Sequence, residues 1–174
     1  GSSTRAMRID SSGNVGIGTD APSDYNAAAH NLVLYESGGS GMTLASGTSG
    51  QGAIYFADGT SGDAEYRGYI IYEHGSNDHM RFGTAATERM RIDSSGRVSI
   101  GSSSPVSPGT HNSRLSVEGT DYHSSTVGIA ANSANTNGAY LFFSKSRGTS
   151  VGATTVVQDG DTLGMIGFYG ADGT

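Results

Sequence analysis

Four tyrosines, Tyr55, Tyr66, Tyr69 and Tyr72, fall within one short stretch that also holds Phe56. Aromatic rings bind sugars by lying against the C–H face of a pyranose while the phenol hydroxyl takes up a hydrogen bond, so these four are the candidate glycan contacts. The competing use of the same rings is packing between chains, with the hydroxyls at a wet rim. His74 and His79 flank the tetrapeptide GSND, and copies meeting at an axis would gather these imidazoles with Asp78 as metal ligands. The spacing has neither a His-x-His pair nor a regular carboxylate triad, and a solvated loop is the plainer reading.

DGTSGD (58–63) and QDGD (158–161) offer calcium-type oxygens without the ligand order of an EF-hand, and read as turns. GTSVG (148–152) has the letters of a hydrolase nucleophile elbow, a motif that requires a strand before it and a helix after it. The pattern around it gives neither, so it reads as a glycine-rich loop. GGSG (38–41) is not followed by the Lys-Ser/Thr of a phosphate-cradling loop. No catalytic residue, metal ligand or cofactor site is therefore assigned. Paired carboxylates for glycan hydrolysis are not assignable either, since in an oligomer the two acids can come from different chains.

Composition limits what can position such residues. Leu, Ile, Val and Phe number 6, 9, 9 and 5 in 174 residues, a share below the one-fifth or so at which a chain struggles to build its own core. Glycine stands at 28 and proline at 3, which fits neither a proline-rich linker nor a collagen triplet. The net charge of −6 is modest, and the apolar residues alternate wherever they cluster, so disorder is the weaker reading. With no cysteine there is no disulfide framework and no thiolate zinc site. Ten basic residues against 16 acidic ones, in no patch, argue against nucleic acid, and no apolar run is long enough for membrane insertion. The N-terminus has no signal-peptide pattern.

MRIDSSGNVGIG (7–18) returns as MRIDSSGRVSIG (90–101), an offset of 83 residues. Across Thr4–Thr19 and Thr87–Ser102, 11 of 16 positions are identical. The copies continue as HNLVLYE (30–36) against SRLSVEG (113–119), then GAIYFAD (52–58) against GAYLFFS (138–144). Each then runs an apolar strand, GYIIYEHG or TTVVQDG, followed by DHMRFGT or GMIGFYG. Two modules follow, 1–83 and 84–174, the second incomplete at its C-terminal end. Within each hairpin, Met7, Ile9, Val15 and Ile17, or Met90, Ile92, Val98 and Ile100, share one face by the two-residue period. Asp-Ser-Ser-Gly between the strands has turn chemistry, the Asp bonding its own backbone and the Gly taking positive φ. The best helical stretch, DYNAAAHN (24–31), is too short to stand alone.

A two-stranded hairpin with one apolar face is marginal in water, and these modules are poor in filling. The expected fold is therefore all-β: elongated, repetitive hairpin and short-sheet modules whose apolar stripes are covered by sister chains, folding and assembly being one event. GSST at the start and GADGT at the end suggest a chain cut from a longer repeat, with a cloning remnant as the alternative origin of the first residues.

TRAMRIDSSGNVGIGTDAP (4–22) and TERMRIDSSGRVSIGSSSP (87–105) resemble the hairpin repeat of bacteriophage tail fibre proteins, found ahead of an endosialidase-type intramolecular chaperone domain. VVQDGDTLGMIGFYGADGT (156–174) resembles another segment of the same fibres. The resemblance implies an intertwined parallel homotrimer in the virion tail fibre, outside the cell, joined to other tail or fibre proteins and displaying parts that bind the host receptor. No self-cleaving chaperone domain or tip domain is recognisable, so the implied role is a non-enzymatic shaft. A carbohydrate-binding module that meets host surface glycan is the second function class, and a tailspike-type polysaccharide depolymerase the third.

Overall fold

The structure is a computed structural model and describes residues 6–75, 77–104, 112–132 and 134–170. GSST, Ser76, Pro105 and the closing ADGT of the repeat motifs lie outside these. The described chain is all-β apart from two short 3-10 helices, Pro22–Asp24 and Gly62–Tyr66. Its strands are β1 (Met7–Ile9), β2 (Val15–Ile17), β3 (Leu32–Leu34), β4 (Gln51–Phe56), β5 (Gly68–Glu73), β6 (His79–Thr84), β7 (Thr87–Ile92), β8 (Val98–Ile100) and β9 (Leu115–Val117). The chain divides into two compact units, Gly1–Ser46 and Gly47–Thr174.

The first unit holds a three-stranded sheet, β1-β2-β3. β1 and β2 form the expected hairpin, pairing Met7 with Ile17 and Ile9 with Val15. Asp10 makes the turn: its Oδ1 accepts the backbone N–H of Ser12 at 2.8 Å and of Asn14 at 2.9 Å, and Gly13 closes it at φ +84°. The Asn14 side chain adds a bond to Oδ2 at 2.9 Å, and this partner, with the backbone donors, holds the Asp10 carboxyl below its ordinary range. The third strand joins in parallel, Val15 beside Leu32 and Ile17 beside Leu34. A parallel neighbour requires a crossover, here supplied by residues 18–31, so DYNAAAHN forms a turn-rich connection rather than a helix.

The second unit carries a six-stranded sheet in sequential order from β4 to β9. Its last three strands repeat the first unit. β7 pairs antiparallel with β8 (Met90 with Ile100, Ile92 with Val98), and β9 lies parallel to β8, matching Val98 with Leu115 and Ile100 with Val117. Asp93 repeats the turn of Asp10, accepting the N–H groups of Ser95 and Arg97 at 2.9 and 3.0 Å, with Gly96 at φ +74°. The sheet thus runs across the 83/84 junction of the sequence modules: the repeat is a unit of sequence, and the compact unit is a unit of packing.

Strand alternation gives this sheet two unlike faces. On one, Ile54, Ile70, Phe82, Met90 and Ile100 lie in one cross-strand row, flanked by a second row through Tyr72, Met80, Ile92, Val98 and Leu115. This face is not fully covered among the described residues; Phe56 and Leu115 are each 59% exposed. The same holds in the first unit, where Met7 and Ile9 are 55% and 63% exposed. The other face is mixed and contains the little core there is: Tyr69 and Ile71 are buried in the second unit, as are Ser99 and Ser116, while Val33 is buried in the first.

A bulge at Phe82/Gly83 inserts an extra residue into β7. Glu88 and Arg91, three apart and so on opposite faces of a regular strand, consequently share the mixed face and form a bidentate ion pair, both bonds 2.8 Å.

In the second module the counterparts of β4 to β6, around 138–144, 154–160 and 164–170, contain no strand. Thr155 and Val157 stand where the first module has Tyr69 and Ile71, so the anchors that bury the mixed face of the meander are reduced. What holds this region is polar: Arg147 grips Asp161 through two 2.8 Å bonds, and its backbone N–H donates to Thr155 O at 3.2 Å. Phe142, Val156 and Phe168 are exposed.

Candidate functional site

The four tyrosines of the sequence divide between the faces. Tyr55 pairs with Tyr69 across β4 and β5 on the mixed face, and Tyr66, at the end of the 3-10 turn before β5, tilts toward Tyr55 with ring centroids 6.4 Å apart and planes at 60°. Tyr72 lies on the apolar face between Gly52 and Met80, its ring against His74 with centroids 4.8 Å apart. The structure therefore brings Tyr55, Tyr66 and Tyr69 together and sets Tyr72 apart.

Those three rings wall a recess of about 310 Å³ that is lined also by Gln51, Ile71, Arg81 and Ala86. Tyr69 is 8% exposed and fixes the back wall, whereas Tyr55 and Tyr66 stand open at 47% and 37%. A line of polar groups runs along it: Gln51 Nε2 donates to the Tyr55 hydroxyl at 3.0 Å, and Arg81 Nη2 donates to Gln51 Oε1 at 3.3 Å and to Glu73 Oε2 at 3.4 Å. Arg81 Nε is buried without a hydrogen-bond partner among the described residues. At the rim, Tyr66 donates to Asp63 Oδ1 at 3.1 Å, and that acceptor pushes the phenol pKa up.

Ala86 enters the recess from the two-residue turn between β6 and β7. Ala85 and Ala86 have φ of +50° and +58°, the mirror-image turn ordinarily made by Asn-Gly, and two alanines there cost strain. The turn is held by Ala86 N–H donating to Arg67 O at 3.0 Å and by Thr87 Oγ1 donating to Ala85 O at 3.2 Å.

The other candidate chemistry is dispersed. His74 Nδ1 and Asp78 Oδ1 are 4.0 Å apart, and no group of three metal-ligating side chains occurs among the described residues. His79 sits apart on the mixed face, its Nδ1 buried without a partner among the described residues; desolvation first, then Arg91 and Arg81, lower its pKa. Asp58 faces Arg67 at 3.6 Å, and Asp161 is taken by Arg147. The calcium-like stretches thus have carboxylates turned to guanidinium groups. GTSVG is a turn, with Ala153 N–H bonded to Ser150 O at 3.1 Å and Gly152 at φ +81°. No helix among the described residues is long and apolar enough to cross a membrane.

No family model matches the chain, and no curated protein matches it. The likeness to fibre hairpins rests on the motif residues alone. Sequence reasoning missed Gln51, Glu73 and Arg81, although the two-residue period already places Gln51 with Tyr55 and Glu73 with Tyr69 on one side of each strand. The contribution of Ala86 had no signal, because Ala-Ala is not a recognisable turn pair.

Proposed function

We propose that this chain is a structural segment of a trimeric phage tail fibre, non-enzymatic, which extends and displays the parts that bind the host receptor. The observation that carries this reading is the apolar face of the six-stranded sheet, left partly open among the described residues. Aliphatic and aromatic side chains from all six strands form a surface of the kind that marks an interaction site. Its repetition in the first unit on the same hairpin supports a partner that is itself repetitive, and a parallel sister chain supplies identical stripes at identical heights. Two further sister chains satisfy each stripe, which accounts for a chain so poor in aliphatic residues. The segment would stand on the virion, outside the cell, in line with other tail or fibre proteins.

Light scattering on the purified chain tests this. Three times the 17.7 kDa chain mass, with an unfolding midpoint that rises with protein concentration, is the expected result. A folded particle of single-chain mass, with a concentration-independent midpoint, would overturn it. A second reading, a carbohydrate-binding module carried on the fibre, is favoured by the tyrosine recess, which lies on the face opposite the apolar one.

A further inference from the structure

Three features mark the tyrosine recess: two exposed rings inclined to each other beside a buried third, a chain of planar polar groups along it, and Ala86 from a strained turn of two left-handed alanines. Strained backbone persists where the surroundings over-determine it, and such positions cluster at ligand clamps. The volume stands at the small end of ligand sites, ~300–1,000 Å³, which suits one ring rather than an extended polymer.

Charge selects among ring ligands. Arg81 is the cation of the recess, but Glu73 already faces it, and the rim turn carries Asp63 and Glu65. A carboxylate or sulfate on the ligand would find the one lining guanidinium already engaged by Glu73, and two further acids on the adjoining turn. An uncharged ring bearing adjacent hydroxyls meets complementary partners instead: Gln51 Oε1 accepts from a hydroxyl, the terminal N–H groups of Arg81 donate, and Tyr55 and Tyr66 cover the ring's C–H face.

We propose that Tyr55, Tyr66, Tyr69, Gln51 and Arg81, the last held by Glu73, form a binding site for a single neutral hexopyranose. In one respect this rests on the trimer reading, because the mixed face must stay open in the assembly.

The test uses the assembled protein with the methyl glycosides of glucose, galactose and mannose in the millimolar range, read by saturation-transfer NMR. Methyl glucuronide is the charged comparison. At least one neutral glycoside is expected to receive saturation, strongest on the C–H face that meets the rings. Tyr55→Ala and Tyr66→Ala are each expected to reduce it about tenfold, and the glucuronide to receive about tenfold less. Tyr66→Phe, which keeps the ring and loses only the bond to Asp63, should retain it. Light scattering on the same samples separates failure of this site from failure of assembly. No transfer to any neutral glycoside, transfer spread evenly over the sugar protons, undiminished transfer in both alanine variants, or an equal response to the glucuronide would each overturn the proposal.

Discussion

The ring of Tyr69 lies across Gly83 on the neighbouring strand, so close that a β-carbon at position 83 would overlap the ring carbons. A strand glycine weakens its own strand, and here the aromatic partner covers the gap and becomes the most buried ring of the sheet. Gly83→Ala must push Tyr69 out of its place on the mixed face. The expected cost is about 1–3 kcal/mol, as for an overpacked core, measured as a lower denaturation midpoint. Since the back wall of the recess moves with the ring, the same variant is expected to lose glycoside saturation transfer. Combined with Tyr69→Ala, Gly83→Ala should add less than its cost alone, because the clash is then gone and the two changes are not additive.

His79 gives a pH dependence of definite sign. Glu73 from β5, Arg81 from β6, and Glu88 and Arg91 from β7 surround it, and burial with the two guanidinium groups lowers its pKa below the usual 6.5. The unfolded chain therefore binds a proton more readily than the folded one. Stability from this residue is present above pH ~6.5 and is lost as pH falls through the lower folded value. NMR titration of the imidazole should show a midpoint below that of an exposed histidine, and His79→Gln should flatten the stability profile in that window. An unshifted midpoint would contradict the burial of Nδ1.

Asp161 sets an acid limit on the strandless region. The two bonds from Arg147, then the backbone N–H of Gln158, bring its pKa down to about 2. For a depressed carboxylate the contribution is complete above the unfolded value of ~3.9 and disappears as pH falls through about 2. The Arg147 and Thr155 amide resonances should keep their native shifts at pH 3 and lose them only below that. Asp161→Asn should remove the transition without altering the hairpins.

Phe82 occupies the middle of the apolar face between Ile70 and Met90. Phe82→Asp would place an unpaired carboxylate against the proposed sister chains, and association should weaken by at least ~100-fold. Sedimentation equilibrium reads this as a shift from trimer to monomer at micromolar concentration. Ser94→Asp, on the exposed hairpin turn, is the control and should leave the mass unchanged.

The hairpins were legible from sequence because everything that makes them is local. Asp10 and Asp93 bond amides two and four residues away, and Gly13 and Gly96 supply the positive φ. The alternation of Met90, Ile92, Val98 and Ile100 named the apolar face correctly. The parallel attachment of β3 and β9 was not legible, since Leu32–Leu34 and Leu115–Val117 carry an apolar pattern with no information on direction. Nor was the separation of Tyr72 from the other three tyrosines drawn out, although Tyr69 and Tyr72 differ by three positions and so fall on opposite faces of β5. In the second module the pattern predicted strands that the structure does not contain: alternation marks a segment that can pair, and pairing also needs anchors of the size of Tyr69 and Ile71.

The continuous ladder from β6 to β7 bears on how such a chain can be shortened or lengthened. Cutting between residues 83 and 84 would bare two strand edges, each an invitation to aggregate. An in-frame deletion of 36–118 instead removes one full 83-residue period, leaves β1 to β3 whole and joins Tyr35 to Gly119, the residue one period beyond Glu36. Length could in this way be adjusted in whole steps, with splice points in loops rather than inside a hydrogen-bonded ribbon.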